Sequence, residues 1–213
     1  VIASDYDGTL SDYYNNFVIQ EEIANFLNEF SLRYPLIIVS GREEKYIFNL
    51  ARSLKPMGWV LENGTVFVYK GMRFLNVDEN WFKIRERIVR ELYNNNINFS
   101  LGKVIIYIDN ALNYKNIIER INDGKVVWNR NNAMIVPKNI NKGLGLKKFL
   151  EKFNIKGKIV AIGDGENDLD LFSVADVRVA VLNAVEILKK NADIILDEPN
   201  GKGVIKFLKG LLS

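Results

Sequence analysis

Short runs with no charged side chain, each about as long as a strand, recur along this chain and break off at acids, serine or glycine. Residues 1–4 give way to Asp5-Tyr6-Asp7-Gly8-Thr9-Leu10, and Leu36-Ile37-Ile38-Val39, entered through Pro35, gives way to Ser40-Gly41-Arg42. Residues 159–162 give way to Gly163-Asp164-Gly165-Glu166-Asn167-Asp168. A run that is apolar at every position suits a strand buried on both faces, as in parallel sheets covered by helices. Between the runs the apolar residues change to helical spacing, with Ile23, Phe26, Leu27 and Phe30 on one face and Ile47, Leu50, Ala51 and Leu54 on another. This alternation predicts an α/β fold with a Rossmann-like parallel-sheet core.

The middle of the chain reads differently. A helix over 78–93 carries Trp81, Phe82, Ile84, Ile88, Val89 and Leu92, and two strands follow over 97–101 and 104–108. A helix over 114–121 and strands over 126–128 and 133–136 repeat the pattern. The αββαββ order predicts a small α+β domain over 77–136, inserted into a core made of 1–76 and 137–213. Trp81, Phe82 and Trp128 read as the core of that insertion. Asn141 is placed to cap a helix over 142–153.

Two absences restrict the chemistry more than the net charge of +3 does: the 213 residues include no cysteine and no histidine. Disulfides, Cys/His zinc sites, Ser-His and Cys-His nucleophile pairs and phosphohistidine are therefore excluded. Catalysis is left to carboxylates, lysine, tyrosine, hydroxyls or a metal held by oxygen, which favours Mg²⁺. The basic residues are dispersed, so no nucleic-acid partner is expected. No apolar run reaches the roughly 18–20 residues that cross a bilayer, so no membrane partner is expected and the protein reads as cytoplasmic, a monomer or homodimer.

In an open α/β sheet ligands bind beyond the carboxyl ends of the strands. If the three runs are parallel neighbours, Asp5, Asp7, Ser40, Asp164 and Asp168 meet at one crevice. Four carboxylates there would repel one another unless a cation joined them. Gly8 and Gly41 would let backbone N–H groups approach an anion. Each residue alone also has an ordinary reading: Asp-x-Asp-Gly as a turn, Ser40 as the start of a capping box, Lys142 as a solvated first-turn lysine, and Asn167 as a helix cap. Glu62-Asn63-Gly64 reads as a turn.

Together the segments resemble the haloacid dehalogenase superfamily of phosphohydrolases. Asp5-Tyr6-Asp7-Gly8-Thr9 is similar to its first motif, Val39-Ser40-Gly41-Arg42 to its second, Lys142 to its third, and Gly163 through Asp168 to its fourth. The insertion between the second and third resembles a C2-type cap, and the pattern resembles archaeal phosphoglycolate phosphatases, with Gly165 standing where many relatives have Ser. The resemblance implies that Asp5 is the nucleophile and forms an aspartyl-phosphate, and that Asp7 is the acid and base. It further implies that Ser40, Gly41, Lys142 and Asn167 contact phosphate or substrate, and that Mg²⁺ is held by Asp5, Asp164, Asp168 and the Asp7 carbonyl. The implied substrate is a small phosphorylated metabolite, with 2-phosphoglycolate the first candidate. The alternatives are a sugar-phosphate phosphatase of the trehalose- or sucrose-phosphate type, a phosphomutase, or a phosphate-binding protein without turnover.

Overall fold

The computed structural model describes residues 1–212, which form two compact units, one of residues 1–74 and 141–212 and the other of residues 75–140. In the first unit the apolar runs become strands β1 (Ile2–Ser4), β2 (Leu36–Val39) and β3 (Gly58–Leu61), each buried at every position. Next come β4 (Val66–Tyr69) and β5 (Met72–Leu75), joined at Lys70-Gly71, where both residues have positive φ. After the second unit the core resumes with β10 (Val160–Gly163), β11 (Val177–Ala180) and β12 (Ile194–Ile195).

The sheet runs β12-β11-β10-β1-β2-β3-β4-β5, and the six strands from β12 to β3 are parallel. From β1 the chain winds outward through β2 and β3. From β10 it winds the other way through β11 and β12. The winding therefore reverses between β1 and β10, and a crevice opens at such a point beyond the strand ends. Helices α1 (Glu21–Ser31), α2 (Glu44–Leu50), α5 (Lys142–Lys152), α6 (Leu169–Phe172), α7 (Glu186–Lys190) and α8 (Asn200–Gly210) belong to this unit. Ile23, Ala24, Leu27 and Phe30 form the buried face of α1, as their spacing requires.

The second unit contains α3 (Asn80–Asn94), the short α4 (Lys115–Ile118) and an antiparallel sheet ordered β6-β7-β9-β8. Its strands are β6 (Ser100–Leu101), β7 (Ile106–Ile108), β8 (Lys125–Asn129) and β9 (Asn132–Val136). Trp81 is buried, and its indole N–H donates to the Val104 carbonyl at 2.8 Å. The strand expected over 97–101 is only two residues long. Asn96 adopts a left-handed conformation (φ 53°) and the Ile97 N–H bonds back to Leu92, so this stretch terminates α3 instead of extending a strand. The helix expected over 114–121 likewise contracts to α4 with a 3-10 turn before it. No helix among the described residues is long and apolar enough to cross a membrane.

Candidate active site

Asp5 follows the last residue of β1, and its N–H bonds to the Ile162 carbonyl of β10, which ties it to the neighbour across the winding reversal. Asp164 follows the last residue of β10. The chain between Asp5 and Leu10 turns sharply: the Tyr6 carbonyl accepts the N–H groups of Thr9, Leu10 and Ser11 as well as the Ser11 hydroxyl. Gly8 permits this turn. Its φ is +77°, and a Cβ there would run into the Asp164 carboxylate. Thr9 Oγ1 donates to that carboxylate at 3.1 Å.

One carboxylate oxygen from each of Asp5, Asp164 and Asp168 lies within 4.8 Å of the others. Asp5 and Asp168 are buried, and Lys142, also buried, donates to both at 2.6 and 2.7 Å. The other Asp168 oxygen accepts the N–H groups of Asp164 and Gly165, which fixes the loop after β10 around it. One ammonium against three acids leaves the cluster short of positive charge. Burial, and then the Asp168 charge, push Asp5 well above the usual carboxylate range despite Lys142. The same two causes push Asp164 up to about 6. Burial works against the charge on Lys142, but Asp168 and Asp5 outweigh it and hold its pKa above the ordinary value.

A lysine in the first turn of a helix would ordinarily be solvated; Lys142 is 2% exposed. Its placement depends on how α5 is seated. Asn141 caps the helix by accepting the Leu144 N–H at 2.8 Å. Gly143 packs against the Asp170 carbonyl with no room for a Cβ, and Gly145 packs against Gly64. Gly64 has φ +98° and ends a turn in which Glu62 and Asn63 are also left-handed. This turn touches the second motif as well, through Glu62 N–H to the Arg42 carbonyl and Asn63 N–H to the Ser40 carbonyl. Three consecutive left-handed residues, two of them not glycine, store strain at the carboxyl end of β3. The sequence signal for this junction was the spacing of Gly64, Gly143 and Gly145, whose meaning depends on contacts between segments far apart in the chain.

Asp7 does not join the acidic cluster through its side chain. Arg42 Nε lies 2.8 Å from both Asp7 carboxylate oxygens, and Nη2 lies 2.7 Å from Oδ1. Proximity in sequence to Asp5 puts Asp7 on the same turn, but the guanidinium draws its carboxylate elsewhere. Ser40 is buried at the end of β2, the neighbour of β1, and its Oγ accepts the Arg42 N–H at 3.1 Å. It therefore shapes its own loop rather than opening a capping box, since Glu43 occupies the N-cap of α2. Gly41 lies in this loop between Ser40 and Arg42. Asn167 is half-buried in the 3-10 turn Glu166–Asp168, and a Cβ on Gly165 would sit 2.9 Å from its Oδ1. Glycine at 165 leaves room for that amide.

The acidic cluster fits a hard divalent cation. It offers three carboxylate oxygens with no nitrogen or sulfur donor, and its surplus of negative charge is what Mg²⁺ would neutralise.

Residues 2–126 and 103–208 match the family model of the haloacid dehalogenase-like hydrolases. Over all 213 residues the chain is 44% identical to a phosphoglycolate phosphatase of Sulfurisphaera tokodaii, covering 94% of that protein. It is 43% identical to phosphoglycolate phosphatase 2 of Saccharolobus solfataricus, covering all of this chain and 92% of the relative. The fold is also that of a haloacid dehalogenase-like hydrolase from Bacteroides thetaiotaomicron, with a TM-score of 0.81 at 20% identity over 99% of this chain and 98% of the other. With its strand order, its clustered acids and a family match over most of its length, the chain belongs to the haloacid dehalogenase-like hydrolases.

Proposed function

We propose that this hydrolase is a Mg²⁺-dependent phosphatase that cleaves a small phosphomonoester through an aspartyl-phosphate on Asp5, with 2-phosphoglycolate the first candidate. The observation that carries the reading is the buried Asp5–Lys142–Asp168 cluster, in which a carboxylate at a strand end sits beside an ammonium and two further acids. Relatives at 43–44% identity that bear the name phosphoglycolate phosphatase support the substrate.

In this mechanism an Asp5 carboxylate oxygen attacks phosphorus, forming an acyl-phosphate bond as the ester P–O bond breaks, and Asp7 gives a proton to the departing alkoxide. Asp7 then takes a proton from water while the water oxygen attacks phosphorus. The acyl-phosphate bond breaks, inorganic phosphate leaves and Asp5 returns as a carboxylate. Lys142 uses two of its three N–H donors on Asp5 and Asp168, which leaves one for a phosphoryl oxygen. Ser40 and Gly41 contribute donors from the loop after β2, and Asn167 faces the substrate from the loop after β10. Asp5, Asp164, Asp168 and the Asp7 carbonyl would hold Mg²⁺, which supplies positive charge beside the transferring phosphoryl group.

A panel of phosphate esters with Mg²⁺ tests this reading, and phosphoglycolate is expected to be hydrolysed with the highest kcat/KM. Asp5→Asn, nearly isosteric, is expected to keep the fold and take up no phosphoryl group. Full turnover in that variant would remove Asp5 from the role of nucleophile.

A further inference from the structure

Arg42 stands in the loop after β2, two residues beyond Ser40, and its guanidinium grips Asp7 through three N···O contacts of 2.7–2.8 Å. A carboxylate has about four lone-pair sites, so this grip leaves room for one more hydrogen-bond donor. The guanidinium is itself held in place. Its Cζ lies 5.2 Å from the centre of the Phe17 ring, and the Arg42 backbone is fixed at both ends, its N–H to Ser40 Oγ and its carbonyl to the Glu62 N–H.

Phe17 in turn is held in an unfavourable conformation. Its φ is 61°, following Asn16 at 48°, and a bulky non-glycine residue in the left-handed region must be kept there by its surroundings. The buried Tyr6 supplies that restraint, since its hydroxyl donates to the Phe17 carbonyl at 2.8 Å, and the Phe17 N–H bonds to the Asp12 carbonyl. Tyr6 separates Asp5 from Asp7 in the sequence. The contacts thus run in a closed circuit from Tyr6 to Phe17, from Phe17 to Arg42, and from Arg42 back to Asp7 beside Tyr6. A circuit that keeps a strained phenylalanine beneath one arginine has more structure than a surface ion pair needs.

We propose that Arg42 is a positioning residue for the second half of the reaction, fixing the Asp7 carboxylate so that its one unfilled site accepts the proton of the attacking water. This inference rests on the phosphatase reading above. Arg42 acts through Asp7 and not on the phosphoryl group. Its loss therefore slows hydrolysis of the aspartyl-phosphate while leaving formation of that intermediate from an activated ester unchanged, because a good leaving group needs no proton.

The test uses 4-nitrophenyl phosphate with the intact protein and Mg²⁺. When only the second step slows, kcat and KM fall together and kcat/KM is preserved. Arg42→Met is expected to lower both constants by about 10–100-fold, up to the lower end of what general base catalysis contributes, because Asp7 itself remains. Its kcat/KM should stay within about threefold of the parent, and phosphorylated protein should accumulate after acid quenching, seen by intact mass. Arg42→Lys keeps the charge but loses the fork, so it is expected to show the same pattern to a smaller degree and replaces Arg42→Met if that variant does not fold. A fall in kcat/KM that matches the fall in kcat would overturn the proposal by placing Arg42 on the phosphoryl group or the first transfer, and unchanged constants would overturn it too. Asp7→Asn separates the two levels of argument. If it accumulates the phosphoenzyme and Arg42→Met does not, only the role of Arg42 fails; if neither variant nor the parent is ever phosphorylated at Asp5, the reading of the site fails.

Discussion

Lys142 Nζ and Asp5 Oδ1, 137 residues apart in the chain, meet at 2.6 Å in a site where both side chains are almost wholly buried. The same ammonium serves Asp168 at 2.7 Å, so a single cation restrains two acids that would otherwise repel each other without solvent to screen them.

Removing that cation should be costly in proportion. Lys142→Met leaves two buried carboxylates facing each other, and breaking a buried pair in this way costs about 3–5 kcal/mol. Urea unfolding of the metal-free protein near neutral pH is expected to show a loss of that order. The loss should shrink as the pH falls, because protonation of the acids removes the charge that Lys142 had been neutralising. A deficit that is independent of pH would place the cost in packing instead of charge.

The seating of α5 gives a second expectation. Gly64→Ala meets a left-handed backbone at φ +98° and puts a Cβ 2.5 Å from the Asn141 carbonyl and 3.0 Å from Gly145 Cα. Gly71→Ala meets a similar backbone at φ +76° with nothing within 4 Å. The conformational penalty, about 1–2 kcal/mol, is common to both. Thermal unfolding is therefore expected to place Gly64→Ala well below Gly71→Ala, and turnover should fall only in the former, because Asn141 is the cap that holds Lys142 in place. Equal shifts would mean that the glycine contact does not seat the helix.

A sheet core with an inserted α+β unit was legible because its signals are local. Leu36 through Val39 contain no polar residue, and Trp81, Ile88 and Leu92 repeat at helical spacing. The convergence of Asp5, Asp164 and Asp168 could be inferred because strand ends share an edge whatever their separation in sequence. What could not be read is which way a side chain turns once it arrives there. Asp7 and Asp5 have the same residue type two positions apart, yet one pairs with Arg42 and the other with Lys142. Lys142 itself has the local context of a solvated lysine, yet it is buried against Asp5 and Asp168, on a helix whose first turn packs closely through Gly64, Gly143 and Gly145. Ile97 is β-branched and apolar like a strand residue, but its N–H closes the end of α3.

Metal binding should be detectable without reference to turnover. Asp164 contributes one of the three clustered oxygens, so Mg²⁺ is expected to raise the melting temperature of the parent, and Asp164→Asn should lose most of that increment. At about one hundred times the dissociation constant the stabilisation would be about 2.7 kcal/mol. EDTA should reverse it in the parent and do little to the variant. An undiminished increment in Asp164→Asn would move the cation away from this cluster.

The far edge of the sheet offers a dependence on pH that is independent of the site. Arg178 on β11 holds Asp193 just before β12 with its Nε at 2.9 Å, its Nη2 at 2.7 Å and its backbone N–H at 2.8 Å, and Asp193 returns its own N–H to the Arg178 carbonyl. The guanidinium first, and then the backbone N–H, hold the Asp193 carboxyl at about 2. An unfolded aspartate titrates near about 3.9. The folded state therefore binds this proton less readily than the unfolded one, and the pair's contribution to stability is fully present above about pH 5 and declines from about pH 4 towards pH 2. Asp193→Asn should consequently unfold at lower urea than the parent by a margin that is constant from pH 5 to 7 and narrows steadily below pH 4. Salt should reduce the margin as well, because both side chains are partly exposed and their attraction is screened. A margin that widened on acidification would have the wrong sign for a carboxylate held below its ordinary pKa, and no margin at any pH would mean that β12 is tied to β11 by its backbone pairing alone.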